Sequence, residues 1–135
     1  MKKDKDIVNT EEWKEIARKD WKRVKRSLRA VDAEAAGFFL QQSLEKYLKA
    51  FMIKHGWTLR KIHELDALLD DAAKSNPNLE NFRDLCERVS GYYFADRYPP
   101  LGVIELTCED IKKELKEVRK LIRTMFTGEK LDARK

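Results

Sequence analysis

Residues 36–50 read AGFFLQQSLEKYLKA, and their apolar positions recur at intervals of three and four, which predicts an α-helix. The pattern extends from about Asp32 to His55. Its apolar members are Ala36, Phe39, Leu40, Leu44, Tyr47, Leu48, Phe51 and Met52. They leave a narrow polar strip of Gln41, Gln42, Glu45, Lys46 and Lys49. Such a wide apolar arc predicts a helix buried against several neighbours at once, the central helix of a bundle.

Four further helices are predicted around this one. The first precedes it and carries apolar residues at helical spacing, namely Trp13, Ala17, Trp21, Val24, Leu28 and Val31. Gly56 is placed to end the central helix in a left-handed conformation. The third helix starts near Glu64 with its leucines inward, and the aspartates Asp66, Asp70 and Asp71 are expected to face outward.

The last two helices are separated by a loop. Residues 75–78, Ser-Asn-Pro-Asn, end the third helix, and the fourth is expected from about Leu79 to somewhere in residues 90–95. Residues 97–105 contain two prolines and a glycine, which predicts an ordered loop. Thr107 and Asp110 predict a capping box for the fifth helix, and Gly128 predicts its end.

These elements predict an all-α fold, an antiparallel up-and-down bundle of about five helices over residues 10–127. Residues 1–9 are expected to form an N-terminal arm, and residues 128–135 a charged, frayed tail. No apolar run is long enough for a signal peptide or a membrane span, so we expect a soluble, cytoplasmic protein. Two distant cysteines suit a reducing compartment and provide no zinc motif, and we expect no metal and no cofactor.

The net charge of +5 is concentrated in one segment of the 135 residues. Residues 14–29 hold eight basic and two acidic side chains, a sum of +6, so the rest of the chain sums to −1. The candidate basic surface consists of Arg18, Lys22, Lys25, Arg26 and Arg29. These side chains have few acids nearby in sequence, so two interpretations stay open: contact with RNA phosphates, or docking on an acidic face of a partner or second subunit.

Three strings in this order resemble the HEPN domain family: residues 36–50, then His63-Glu64-Leu65, then Asp96-Arg97-Tyr98-Pro99. The resemblance covers roughly residues 10–126. It implies a small helical bundle that commonly forms homodimers. Many such proteins stand beside a minimal nucleotidyltransferase, often as a toxin–antitoxin pair; others are ribonucleases with an Arg-x(4–6)-His motif, and some bind nucleotides without cleaving RNA.

The ribonuclease motif is absent from this sequence. After Arg97, the histidine positions are occupied by Gly102, Val103 and Ile104. No arginine stands five to seven positions before either of the two histidines, His55 and His63. Without an imidazole that exchanges protons, this cleavage mechanism loses its general acid and base. We therefore expect a protein that is non-catalytic or weakly catalytic.

The candidate ligand-binding residues are Arg97, Tyr98, His63, Gln42 and Lys46. Arg97, between a helix end and a proline loop, suits a bidentate phosphate ligand, with an ion pair or a helix cap as the alternative. Tyr98 stacks on a base or packs on the bundle, and His63 binds a ligand or serves as scaffold. Gln42 and Lys46 belong to the polar strip, which faces water, polar neighbours or a cleft shared with Arg97.

Three functions follow as hypotheses. The first is a nucleotide-binding or interaction subunit that acts with a nucleotidyltransferase. The second is a ribonuclease toxin with a divergent active site at Arg97. The third is an RNA-binding bundle that uses the basic first helix.

Overall fold

A computed structural model describes residues 2–57, 64–97 and 106–131, with side chains described for residues 10–57, 64–92 and 106–131. These residues form five α-helices: α1 (Lys2–Arg29), α2 (Ala33–Lys54), α3 (Leu65–Ser75), α4 (Arg83–Arg97) and α5 (Cys108–Met125). A 3-10 turn, Pro77–Phe82, leads into α4. The described part of the chain contains no strand, so the predicted all-α fold is confirmed. None of its helices is long and apolar enough to cross a membrane.

The central position of α2 is confirmed by its packing. This helix contacts α1, α3, α4 and α5, and Leu40, Leu44, Tyr47 and Leu48 are fully buried. It runs antiparallel to α1, since Arg23 lies over the ring of Phe39 near the start of α2, whereas Lys49, near its end, lies over the ring of the earlier Trp13. Because α2 is packed on several sides, it supplies more buried apolar side chains to the core than any other described helix does.

A tight turn joins α1 to α2. The Asp32 amide donates to the Ser27 carbonyl at 2.9 Å, and the Val31 amide donates to the Leu28 carbonyl at 3.0 Å. This pair of bonds is a Schellman motif, which requires a left-handed residue, and here Val31 has a φ of 56°. The Asp32 side chain then accepts from the Ala35 amide at 3.1 Å and caps α2.

The predicted helix ends that depend on local capping are confirmed. Gly56 and Gly128 both adopt positive φ, 84° and 82°. The capping box of α5 is present, because the Asp110 amide donates to the Thr107 hydroxyl at 3.1 Å and the Thr107 amide donates to the Asp110 carboxylate at 3.3 Å. Each signal lies within a few residues of the helix end that it specifies.

Other boundaries differ from the prediction. Helix α1 begins at Lys2, so residues 2–9, expected as an arm, are helical; no glycine or proline interrupts them. The fourth helix starts with a 3-10 turn and continues to Arg97, beyond the expected end in residues 90–95. In α3, Asp71 is buried and Asp66 is partly buried, so of the three aspartates only Asp70 faces outward.

The start of the predicted frayed tail is packed against the bundle. Glu129 and Leu131 are only 7% and 5% exposed. Leu131 belongs to the hydrophobic core, and Glu129 contacts α1 and α2. Residues 132–135 lie outside the described residues. The expectation of fraying is therefore wrong for residues 129–131, because contacts with α1, α2 and the core hold these residues in place although no helix continues through them.

Candidate functional site

At the end of α4, where Arg97 is a candidate ligand-binding residue, the structure describes the backbone but not the side chains. Arg97 is the last residue of α4, which agrees with its predicted place at a helix end. Its side chain is outside the described set, as are Tyr98 and His63 entirely. The grouping of these three residues into a ligand site therefore stays a prediction.

The polar strip of α2 is a connected chain of hydrogen bonds. Gln42 donates to Gln41 at 2.7 Å, and Gln41 donates to Glu45 at 3.2 Å. Lys49 donates to the other carboxylate oxygen of Glu45 at 2.9 Å. Gln41, Glu45 and Lys49 are all at least nine-tenths buried. The mutual bonds offset the cost of desolvating these polar groups, so the strip is largely internal scaffold.

Lys46 is bound to α1. Its ammonium forms an ion pair with Asp20, which is 2% exposed and also accepts a hydrogen bond from Arg23 at 2.7 Å. Ser43, on the same side of α2, donates to the Ala17 carbonyl at 2.8 Å. A buried carboxylate held by two cations is costly to disrupt, so Lys46 has a structural role in joining α1 to α2.

The side of α2 that faces α4 is not the side that carries Lys46. A Cβ built on Gly37 would lie 3.0 Å from Tyr92 of α4 and 3.3 Å from Ile111 of α5. Lys46 follows Gly37 by nine positions, which at about 100° per residue places it on the opposite side of the helix. The structure thus brings Lys46 next to α1, while Gln42 bonds to Gln41 within α2. It does not bring Lys46 to the face of α2 that packs on α4, the helix that ends at Arg97.

The candidate basic surface divides into two groups. Arg18 donates to Glu129 at 2.7 Å and lies 3.9 Å from Glu11, so it is engaged within the fold. Lys25 is half-buried. Lys22, Arg26 and Arg29 are exposed, and Lys19, which was not singled out from the sequence, is exposed with them. The sequence placed Arg18 on the basic surface because few acids lie near it in the chain. Its acid partner, Glu129, lies 111 positions away.

Glu129 forms a buried cluster that sequence reasoning missed. Its carboxylate accepts from Tyr47 at 2.6 Å and from Arg18 at 2.7 Å, and it lies 3.2 Å from the Lys14 ammonium. Burial alone would raise the pKa of Glu129, but the hydrogen bonds from Tyr47, Arg18 and Lys14 outweigh it and hold the pKa below its ordinary value. Burial and the same carboxylate raise the pKa of Tyr47. The cluster ties the chain end to α1 and α2.

An open groove of about 520 Å³ lies between α4 and α5. At its base Arg88 makes two hydrogen bonds to Glu114, at 2.7 and 3.1 Å, and Tyr92 donates to the same carboxylate at 2.9 Å. The remaining lining residues are Asp110, Lys113, Lys116 and Glu117. Three cations and three carboxylates sum to zero, so the groove has no charge excess that would select an anion. No local motif marked these residues in advance.

Cys86 is not a candidate nucleophile. Cys86 is fully buried, and burial, with Asp66 nearby, raises the pKa of its thiol to about 12. Cys108 is a free, half-buried thiol at the start of α5. Among the described residues, no three histidine, cysteine or acidic side chains are grouped as a metal site would need.

A buried central helix, an antiparallel partner and a capped last helix define a helical-bundle domain of one core. The model of the HEPN domain family matches residues 10–130. The protein therefore belongs to the HEPN domain family. A solved structure with the same fold is that of TT1696 from Thermus thermophilus, at 23% identity and a TM-score of 0.76, covering 86% of this chain and 94% of that chain. No curated protein matches this chain.

Proposed function

We propose that this protein is a non-catalytic or weakly catalytic HEPN subunit of the cytoplasm. In this proposal it forms a homodimer, binds a nucleotide and acts with a nucleotidyltransferase partner, as one half of a toxin–antitoxin pair. The observation that carries the proposal is the missing Arg-x(4–6)-His motif in a chain that has only two histidines. Two free thiols support a reducing compartment.

Arg97 is the residue on which nucleotide binding is proposed to depend. A guanidinium binds phosphate oxygens in bidentate fashion and keeps its charge at any physiological pH. The arginines at the start and in the middle of α4 are already occupied: Arg83 pairs with Asp70 and Glu80, and Arg88 pairs with Glu114. The end of α4 is thus the place where we expect a phosphate group to be held.

Calorimetry with purified protein and a panel of nucleoside mono-, di- and triphosphates tests this site. We expect one nucleotide to bind and Arg97→Ala to remove that binding. Arg83→Ala, at the other end of α4, is the matched control and should bind as the unaltered protein does. Co-purification of the tagged protein from its native cells should also recover a nucleotidyltransferase. Failure of both experiments would contradict the proposal.

The runner-up is a ribonuclease toxin with a divergent active site, and it depends on the same arginine. Arg97 stands in the string Asp96-Arg97-Tyr98-Pro99, whose likeness to the family's arginine motif favours a catalytic remnant. Incubation of the protein with total RNA separates the two hypotheses. Cleavage that disappears with Arg97→Ala, and persists with Arg83→Ala, would replace the proposal with the runner-up. The remaining hypothesis is RNA binding through the basic first helix, and it depends on the exposed surface of α1 instead of on Arg97.

A further inference from the structure

Four exposed cations lie in one row along α1: Lys19, Lys22, Arg26 and Arg29. We propose that this row, the α1 ridge, binds the phosphate backbone of a nucleic acid without regard to base sequence. The inference goes beyond the proposed function, since it needs neither a nucleotide site at Arg97 nor a nucleotidyltransferase. It also differs from the basic surface expected from the sequence, because Arg18 and Lys25 leave the set and Lys19 enters it.

The register of the helix makes the ridge continuous. The four residues follow one another at intervals of three, four and three positions, which keeps them on one side of an α-helix. At a rise of about 1.5 Å per residue, the ridge is about 15 Å long. One strand of a nucleic acid places a phosphate at every few ångströms of its length, so several phosphates fit beside the ridge at once.

The ridge cations differ from the neighbouring cations in having no acid partner among the described residues. Lys14 and Arg18 contact Glu129, and Arg23 and Lys46 share Asp20. The ridge residues form no ion pair with any acid in the described part of the chain, so their charge faces solvent. Binding a polyanion there releases counterions without first breaking bonds inside that part of the protein.

Helix α5 is also rich in lysine, but its exposed face does not form a row of cations without acid partners. Over residues 109–123 it carries six basic and four acidic side chains, a sum of +2. Its exposed lysines are interleaved with acids, as in the pairs Lys112–Glu109 at 3.7 Å and Lys120–Glu117 at 3.3 Å. The charge excess of the protein is therefore a property of α1 and not of every exposed helix.

The surroundings of the ridge favour a nucleic acid over an acidic protein. A protein-binding surface has an apolar core that becomes fully buried. The two large apolar residues that stand exposed in the described chain, Ile16 at 42% and Val31 at 78%, lie beyond the two ends of the ridge. No exposed large apolar side chain lies between them on the described α1. A row of cations without an apolar centre suits phosphate contacts, which need charge alone.

The ridge ends at two acids. Glu12 and Glu15 are exposed and continue the same helical row in the N-terminal direction, seven and four positions before Lys19. Their negative charges repel phosphate, so a bound strand must leave α1 between Glu15 and Lys19. Replacing these two acids with lysines should extend the ridge, so variants that strengthen RNA binding can be designed as well as variants that weaken it.

Fluorescence anisotropy with a labelled RNA of about 20 nucleotides tests the ridge across a range of salt concentrations. Four phosphate contacts predict a slope of log affinity against log salt of about −3, which is a loss of about 50- to 150-fold between 50 and 200 mM salt. The variant with Lys19→Gln, Lys22→Gln, Arg26→Gln and Arg29→Gln should lose most of its affinity at about 50 mM salt, and its remaining binding should have a salt slope close to zero.

The matched control removes the same charge from α5, with Lys112→Gln, Lys113→Gln, Lys116→Gln and Lys120→Gln. It should weaken binding much less than the α1 variant does, since the proposed phosphate contacts are made by the ridge and the α5 lysines add only to the general charge. Circular dichroism of both variants should match the unaltered protein, because all eight side chains are exposed. Equal weakening by the two variants, or no RNA binding by the unaltered protein at low salt, would overturn the proposal.

The gain-of-binding variant carries Glu12→Lys and Glu15→Lys, which extends the ridge to six cations. It should bind RNA more tightly and steepen the salt slope, whereas Glu109→Lys with Glu117→Lys on α5 should do neither. Polyglutamate of equal charge that displaces the RNA as well as unlabelled RNA does would assign the ridge to an acidic protein partner instead and overturn the nucleic-acid assignment.

Discussion

Tyr47 donates a hydrogen bond of 2.6 Å to Glu129, which stands 82 positions later in the sequence. The tyrosine is fully buried on the central helix, and the glutamate follows the last helix. Arg18 of α1 reaches the same carboxylate oxygen at 2.7 Å. One buried carboxylate therefore connects the beginning, the middle and the end of the chain, and removal of its charge should loosen all three.

Glu129→Gln should lower the free energy of unfolding by about 2–3 kcal/mol, because the Arg18 guanidinium and the buried Tyr47 phenol lose a charged acceptor. Urea denaturation followed by circular dichroism measures this change. Glu109→Gln is the control, since Glu109 is exposed and should change stability by less than about 0.5 kcal/mol. Equal stability of Glu129→Gln and the unaltered protein would show that the cluster is not stabilising.

The Glu129 cluster should also make stability depend on acid. The folded state lowers the pKa of Glu129 below its ordinary value of 4.5. The unfolded chain then binds the proton more readily, so this stabilisation is complete above about pH 4.5 and is lost as pH falls through the lower pKa of the folded protein. Urea midpoints at several pH values between about 3 and 7 should fall less steeply in Glu129→Gln.

The control for this acid dependence is Glu80→Gln. Hydrogen bonds from Arg83 also lower the pKa of Glu80, but this carboxylate is exposed to solvent. Solvent screening keeps the contribution of such pairs small, so Glu80→Gln should leave most of the acid dependence in place. A pH profile that Glu80→Gln flattens and Glu129→Gln does not would contradict the assignment.

Val31→Gly should stabilise the protein by about 1 kcal/mol. Val31 has a φ of 56°, where a β-branched side chain clashes with its own backbone, and its side chain is 78% exposed, so little packing is lost. Glycine adopts this conformation without strain and is the usual residue in a Schellman motif. Thermal unfolding measures the gain. Ala30→Gly, one position earlier, should give no gain, because Ala30 does not have a positive φ.

Gly37→Ala should destabilise the bundle by about 1–3 kcal/mol, because the new methyl group would lie 3.0 Å from the Cβ of Tyr92 and from Cδ2 of Leu106. Gly91→Ala is the matched control in α4. A Cβ at Gly91 meets nothing within 4 Å, so alanine should stabilise the helix by about 0.5–1 kcal/mol. Chemical denaturation of the two variants should give shifts of opposite sign.

The predicted site and the observed packing agree only in part, for a reason visible in the polar strip of α2. Helical spacing placed Gln42 and Lys46 on one strip, but spacing does not say which neighbour the strip meets. In the structure Lys46 pairs with Asp20 on α1. No sequence motif predicted the groove between α4 and α5. The contacts of Arg88 and Tyr92 with Glu114 join residues that are more than 20 positions apart in the chain.

Features that depend on neighbours in the chain were determined by the sequence alone. The apolar period of α2, the positive φ of Gly56 and the capping box of Thr107 with Asp110 each require contacts within a few residues. The absence of an Arg-x(4–6)-His motif is likewise a matter of counting along the chain. Hydrogen bonds between nearby backbone groups are the same whatever the rest of the molecule does, so these features could be predicted.

Which charged side chains form ion pairs inside the fold, and which face solvent, depends on the tertiary structure. Arg18 and Lys22 look equivalent in the sequence, yet Arg18 is held by Glu129 and Lys22 is exposed. The burial of Glu129 turned an expected frayed tail into part of the bundle. The energy of an ion pair depends on distance and burial in space, and neither quantity is written in the order of the residues.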